Sequence, residues 1–316
     1  MKIILRENNS IVVVGGINYD LKAYSEEYIR YTSNPGKIET TLGGVGRNIA
    51  ENLGILGEKV TLLSAVGDDH FGKKLLKDTK KSRVDLSNIK IIEKVKTGLY
   101  LAHLDKDGDL IAAIADMEIM NYIDKNYIKE KMDIIKKAKL LIIDTNIPVE
   151  SIEYLLKLSN KFNIINLVET VSVDKSKKLN GLLNYIDYLK PNLDEIESIF
   201  NLTNNSKLEF NARIKMVKEE FLKRKNLPTI FVSCGEKGVL ILSEKLIDFI
   251  EAQKIKEKEI NETTGAGDAL LAGIAHSLVK EQSIKNAVKF GMKTAALTIK
   301  SNFTVNPDLK KLLKEE

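Results

Sequence analysis

The chain has 316 residues, 43% hydrophobic and 29% charged, the profile of one large globular domain or two ordinary ones. Its 49 basic against 44 acidic residues leave a formal charge of +5. The lysines are scattered rather than gathered in a stripe and no nucleic-acid-reading module is present, which argues against DNA or RNA as a partner.

In chain order, residues 11–17 read as a buried strand ending in Gly15-Gly16, and 45–56 have helical periodicity stopped by Gly57. Residues 60–65 predict a strand and 71–80 a helix. Two alternating runs, 97–104 and 110–115, are joined by Asp105-Lys106-Asp107-Gly108, and Asp-Gly between such runs signals a hairpin. From residue 125 onward, helices alternate with the apolar runs 140–143, 164–168, 185–189 and 229–233. Apolar runs of this kind indicate an α/β fold, a mostly parallel central sheet with helices on both faces. Residues 239–242 and 246–250 read as an antiparallel pair near an edge, and helices return at 267–280 and 284–299.

With no repeat and no Pro/Gly/Ser linker, a single domain over 1–316 is expected. Segments 19–41 and 97–116 break the strand–helix rhythm. They are expected to pair as a small β-sheet lid over the carboxyl ends of the main strands, with an ordinary excursion of the sheet edge as the alternative. Cys234 is the only cysteine, so no intrachain disulfide can form, and a reducing, cytoplasmic setting fits. The N-terminal residues lack a signal-peptide core, and the first apolar run is far shorter than the roughly 18 residues of a membrane span. His70, His103 and His276 have no metal-ligand spacing.

Five constellations carry chemistry. Gly265-Ala266-Gly267-Asp268 opens a helix; a glycine-rich turn there points unpaired N–H groups at an anion, and Asp268 beside it can take a proton from an attacking hydroxyl. A plainly capped helix is the alternative. Gly43, Gly44 and Gly46 allow close backbone approach to a ligand, and Asn48 in the following turn can bond its hydroxyls. No acidic residue ends the second strand as a dinucleotide site needs, which argues against NAD. Asn18 and Asp20 at the end of the first strand suit a pair of vicinal hydroxyls, or form an Asx turn. Asn192 with Glu195 has capping-box spacing, and Ser233-Cys234-Gly235 with Gly238 is a glycine turn roomy enough for a nucleotide or a simple reverse turn.

Gly43-Gly44 with Asn48, then 192–195 and 233–235, then Gly265-Ala266-Gly267-Asp268, occur in the order of the ribokinase-like (PfkB) sugar and nucleoside kinases, which the chain resembles over nearly its whole length. Residues 33–38, 43–50, 63–67, 116–119 and 306–309 resemble the branch of that family that phosphorylates the nucleoside pseudouridine. The resemblance implies a ribokinase-like fold and transfer from ATP to the ribose 5′-hydroxyl, with Asp268 as base and the 265–267 turn as anion hole. It places the ribose between Asn18, Asp20, Gly43, Gly44 and Asn48 under a lid that includes Asp116, and ATP near Asn192, Ser233, Gly235 and Gly238. It further implies Mg²⁺ reached from Glu195 through water, a monovalent cation (K⁺) near Glu262, and a homodimer formed through the lid. Glu262 stands where a shorter Asp or Asn is usual, residues 167–172 replace an Asp-Pro stretch, and Leu42 precedes the diglycine where proline is common.

Overall fold

Strands of nearly unbroken apolar sequence form the centre of the computed structural model, which describes residues 10–202 and 208–314. The reading of the extreme N-terminus as free of a signal core lies outside the described residues. The chain opens with β1 (Ser10–Val14), β2 (Asn18–Ser25), β3 (Gly36–Gly43) and α1 (Val45–Ile55). Next come β4 (Lys59–Leu63), β5 (Ala65–Gly67), α2 (His70–Thr79), β6 (Lys90–Ile92), β7 (Leu99–Leu104) and β8 (Leu110–Asp116). The middle holds α3 (Lys125–Glu130), α4 (Met132–Lys137), β9 (Leu140–Asp144), α5 (Val149–Phe162), β10 (Ile165–Glu169) and α6 (Val173–Ser176). Then follow β11 (Tyr188–Lys190), α7 (Leu193–Ile199), α8 (Phe210–Lys223), β12 (Thr229–Ser233), β13 (Gly238–Leu242) and β14 (Ile247–Glu251). The long helices α9 (Ala266–Val279) and α10 (Ile284–Ile299) come last.

The main sheet runs β14-β13-β12-β11-β10-β9-β1-β4. From β12 to β4 every neighbour is parallel, and β13 and β14 add the antiparallel edge expected from the sequence. Strands covered on both faces must be apolar on both, and β9 is buried at every position. Alternate residues of the edge strands serve opposite faces. Phe231, Val239 and Ile241 pack with Leu270, Ile274 and Val288 of α9 and α10, whereas Ile230, Val232 and Leu240 join the large cluster on the other side.

The segments outside the strand–helix rhythm form a separate four-stranded sheet, ordered β3-β2-β7-β8. β2 runs parallel to β7, with Asp20 opposite Tyr100, and antiparallel to β3. The β7–β8 hairpin turns at Gly108 with φ +89°, where Asp105 accepts from the N–H groups of Asp107 and Asp109.

Several boundaries differ from the sequence expectation: β7 starts at Leu99 rather than residue 97, β11 starts at Tyr188 rather than residue 185, after a 3₁₀ turn over Leu183–Tyr185, and two others have local reasons. β1 ends at Val14 rather than residue 17, because Gly15 and Gly16 turn out of the sheet around the Asp144 carboxylate. The run 60–65 breaks at Ser64, whose hydroxyl donates to the Gly15 carbonyl at 2.6 Å, and β5 leaves to pair with β6. No described helix is long and apolar enough to cross a membrane.

Helix α9 is buried almost all round, so its small residues set how closely α10 approaches. A Cβ at Gly273 would meet the Gly291 Cα and the Thr294 Oγ1, each at 2.6 Å. Thr294 Oγ1 in turn donates to the Ala269 carbonyl. Gly273→Ala should therefore destabilise by about 1–3 kcal/mol through overpacking, read as a lowered midpoint in urea denaturation; an unchanged midpoint would show that the two helices can part freely.

Candidate active site

β1 is followed in the sheet by β4 on one side and β9 on the other, so strand order reverses between β1 and β9. Ligands of open α/β sheets bind outside the carboxyl ends at such a reversal. Here the ends carry Gly15-Gly16 and Asp144. Asp144 is fully buried; its Oδ2 accepts from Gly16 N at 2.7 Å and its Oδ1 from Asn146 N at 2.8 Å. Burial raises its carboxyl above the ordinary range, against those hydrogen bonds. A Cβ on Gly15 would lie 2.3 Å from the same carboxylate.

Helix α1 starts against this turn. Arg47 N donates to the Gly16 carbonyl at 3.0 Å, and a Cβ on Gly46 would meet the Gly15 backbone at 2.8 Å. Gly44 has φ +97°, and a side chain there would strike the Gly16 carbonyl and Ile17. The glycine run thus seats the helix on the strand end. Gly43 instead makes room for Asp20, whose carboxylate lies 2.3 Å from where a Cβ would be. Asn18 Nδ2 donates to Asp20, and burial pushes the Asp20 carboxyl up to about 6 against that hydrogen bond.

The two ends of the chain meet at one hydrogen bond. Asn48 Nδ2, in the first turn of α1, donates to Asp268 Oδ2 at 2.8 Å across 220 residues. The amide cannot turn over, because Arg47 donates to its Oδ1 at 2.8 Å; Arg47 is itself paired with Glu51. Asp268 lies in the first turn of α9, 9% exposed, and burial pushes its carboxyl up to about 6, against the Asn48 bond and the charge of Lys190.

No side chain caps α9. Its turn is held instead by Gly265 at φ +85°, where a Cβ would lie 2.1 Å from the Thr304 carbonyl; Thr304 Oγ1 also donates to the Leu42 carbonyl. The helix thus offers its dipole and first N–H groups to whatever lies at Asp268.

Asn192 and Glu195 form a complete capping box at the start of α7. Ser233 bridges in parallel to Asn192, and Gly235 opens the next turn at φ +56° with free space where a Cβ would stand. Gly238 has a structural reason, since a Cβ there would strike the Ile250 carbonyl at 2.1 Å. Glu195 is 4% exposed, and its oxygens accept from Thr170 Oγ1, Asn192 N and Asn192 Nδ2. Among the described residues no group of three or more His, Cys, Asp or Glu gathers as a metal site. Both Glu195 oxygens are thus engaged by donors of the cap and of Thr170.

Glu262 is likewise engaged. It pairs with Lys22 of β2, and its Oε1 accepts from Thr264 N at 2.9 Å. Each of its carboxylate oxygens thus has a donor within the protein. Asp116 ends β8 opposite Leu99, and no hydrogen bond ties it to Asn18, Asp20 or Asn48. The structure also gathers Asp144, Arg47, Lys190 and Glu169 here, to which sequence reasoning gave no role. Lys190 stood next to Pro191-Asn192 and Glu169 inside the departing 167–172 stretch, but nothing in either marked them as partners.

Residues 8–311 match the family described as pfkB family carbohydrate kinase. The chain is 36% identical to the pseudouridine kinase of Escherichia coli (strain K12), over 96% of this chain and 95% of that protein. Among solved structures, it superposes on a putative sugar kinase from Clostridium perfringens with TM-score 0.78 at 28% identity, covering 98% of this chain and 95% of that one. Ribokinase from Cryptococcus neoformans in complex with ADP gives TM-score 0.82 at 17% identity, covering 98% and 99%. With a ribokinase-like fold and this match along its length, the chain belongs to the pfkB family of carbohydrate kinases, ATP-using phosphotransferases with an alcohol group as acceptor.

Proposed function

We propose that the chain transfers the γ-phosphoryl group of ATP to the ribose 5′-hydroxyl of pseudouridine, giving pseudouridine 5′-phosphate and ADP. The observation that carries the chemistry is the buried Asp268 carboxylate at the uncapped start of α9, joined by Asn48 to the residues that would hold the sugar. The substrate rests on the E. coli relative and on the stretches around Gly43-Gly44 and Asp116.

In this reading Asn18, Asp20 and Asn48 hold the ribose hydroxyls, and the small sheet closes over them as the lid of a single domain. Asp116 belongs to that lid. Asp268 takes the proton from the 5′-hydroxyl as its oxygen forms the new bond to phosphorus and the bond to the β-phosphate oxygen breaks. The N–H groups of the 265–268 turn receive charge spreading over the phosphoryl oxygens. Adenine and ribose of the nucleotide lie near Ser233 and Gly235, with its phosphates toward Asn192. Mg²⁺ enters with the triphosphate and needs no cage of protein carboxylates.

Asp268 must be ionised to act as base. Its carboxyl is raised to about 6, so turnover should fall as pH drops through about 6 and level off above it. Asp268→Asn should lose about 10²–10⁴-fold in kcat while binding ATP as before, measured by ADP release and by calorimetry. Pseudouridine should outperform uridine, ribose and fructose in the same assay; activity on ribose but not on pseudouridine would move the substrate, and near-native turnover in the Asn variant would remove Asp268 as base.

Because Lys22 already neutralises Glu262, exchanging K⁺ for tetramethylammonium should leave turnover unchanged. A strict K⁺ requirement would show that the Lys22–Glu262 pair does not take the place of the ion. The reading also includes a second copy of the chain over the lid, where exposed Ile38, Leu101 and Ile114 share one side of the sheet. Sedimentation should give a dimer, and a monomer at assay concentration would remove this part.

A further inference from the structure

Lys190 ends β11 beside Glu169, its register neighbour on β10. The two side chains are 6% and 4% exposed, with Nζ 2.8 Å from the Glu169 carboxylate. The ammonium also faces the anion turn: a Cβ on Gly267 would lie 3.2 Å from Nζ, and outside that turn and its own helix backbone no other heavy atom comes within 4 Å of the position. On the nucleotide side, Thr170 Oγ1 donates to Glu195 and approaches the Lys190 carbonyl at 3.3 Å, tying the strand end to the capping box. Lys190 thus stands between the proposed base and the proposed nucleotide end.

Stability alone explains this placement poorly. Replacing a buried ion pair by neutral groups of similar shape is often neutral or stabilising, so retaining one is weak evidence for a stabilising role. An ammonium has three donors, and Glu169 lies on one side of it. What faces the rest is a glycine whose missing side chain leaves the approach to the turn open.

We propose that Lys190 is a further catalytic residue, its ammonium donating to the phosphoryl group in transfer, and that Glu169 is the positioning residue that aims it. The proposal rests on the phosphoryl-transfer reading given above. In that step the bond from the acceptor oxygen to phosphorus forms, the bond to ADP breaks and Asp268 receives the proton. Lys190 keeps all its protons and serves as a hydrogen-bond donor to a phosphoryl oxygen, where charge is greatest in the transition state.

The test uses the double variant Lys190→Met with Glu169→Gln, which removes both charges together and so avoids stranding one in the interior. Its melting temperature should stay near that of the parent, with kcat lowered by about 10²–10³-fold and KM for the nucleoside little changed. Calorimetry with ADP alone should match the parent, whereas affinity for ADP with aluminium fluoride, a mimic of the phosphoryl group in transfer, should fall in the same proportion. Parent-like kcat and parent-like fluoride-complex affinity in the folded double variant would overturn the role of Lys190. If that variant does not fold, Lys190→Arg carries the test, since it keeps the charge but moves the donors; the same losses are expected and parent-like turnover overturns the proposal. Parent protein and Asp268→Asn run alongside separate the two readings. A parent that phosphorylates no sugar or nucleoside defeats the phosphoryl-transfer reading, whereas an active parent, an inactive Asn variant and an active double variant defeat only Lys190.

Discussion

The Asn48–Asp268 hydrogen bond joins two helix starts that belong to opposite ends of the chain. Its geometry depends on nearly everything around it. The 15–16 glycines must let α1 seat on β1, Arg47 must hold the Asn48 amide in one sense, and α9 must bring Asp268 in without a capping side chain to compete for its first turn. A buried carboxylate with one amide donor is poorly solvated, and that is the physical origin of its raised proton affinity. The same desolvation that makes Asp268 costly to ionise makes it a better base once ionised.

Around that bond the carboxyl ends of the sheet are crowded with acids. Asp144, Glu169, Glu195 and Asp268 are all at least nine-tenths buried. Burial pushes the Glu169 carboxyl upward, and the nearby Asp268 and Glu195 charges add to the push against the attraction of Lys190. Burial alone would lower the Lys190 ammonium, but Glu169, Asp268 and Glu195 together hold it charged. Asp144 and Glu195 are answered largely by hydrogen-bond donors rather than by cations. Lys190 is the cation shared by Glu169, Glu195 and Asp268, with Arg47 also acting on Asp268 and Lys175 on Asp144.

Much of this architecture was legible in the sequence because it follows from local rules. Strands apolar on both faces announce a covered parallel sheet, Asp107-Gly108 announces a hairpin, and the capping box from Asn192 to Glu195 is a spacing. The glycines before Asn48 and Asp268 flagged the two helix starts. What stayed hidden arises from register and from long-range contact. Glu169 and Lys190 are partners only because β10 and β11 align them, and Lys22 meets Glu262 across 240 residues. At Glu262 the acid is visible in the sequence, and the lysine that pairs with it is not.

Thr304 lies beyond the last long helix, yet its carbonyl backs Gly265 and its hydroxyl holds the carbonyl of Leu42. The segment after α10 is therefore the outer wall shared by the sugar side and the anion turn. A nascent chain can build its sheet strand by strand as it is synthesised, but it cannot complete this wall until Thr304 has left the ribosome. A piece that stops before Thr304 can hold Asn48 and Asp268 but lacks the wall behind them, so the site is complete only once the segment after α10 has packed.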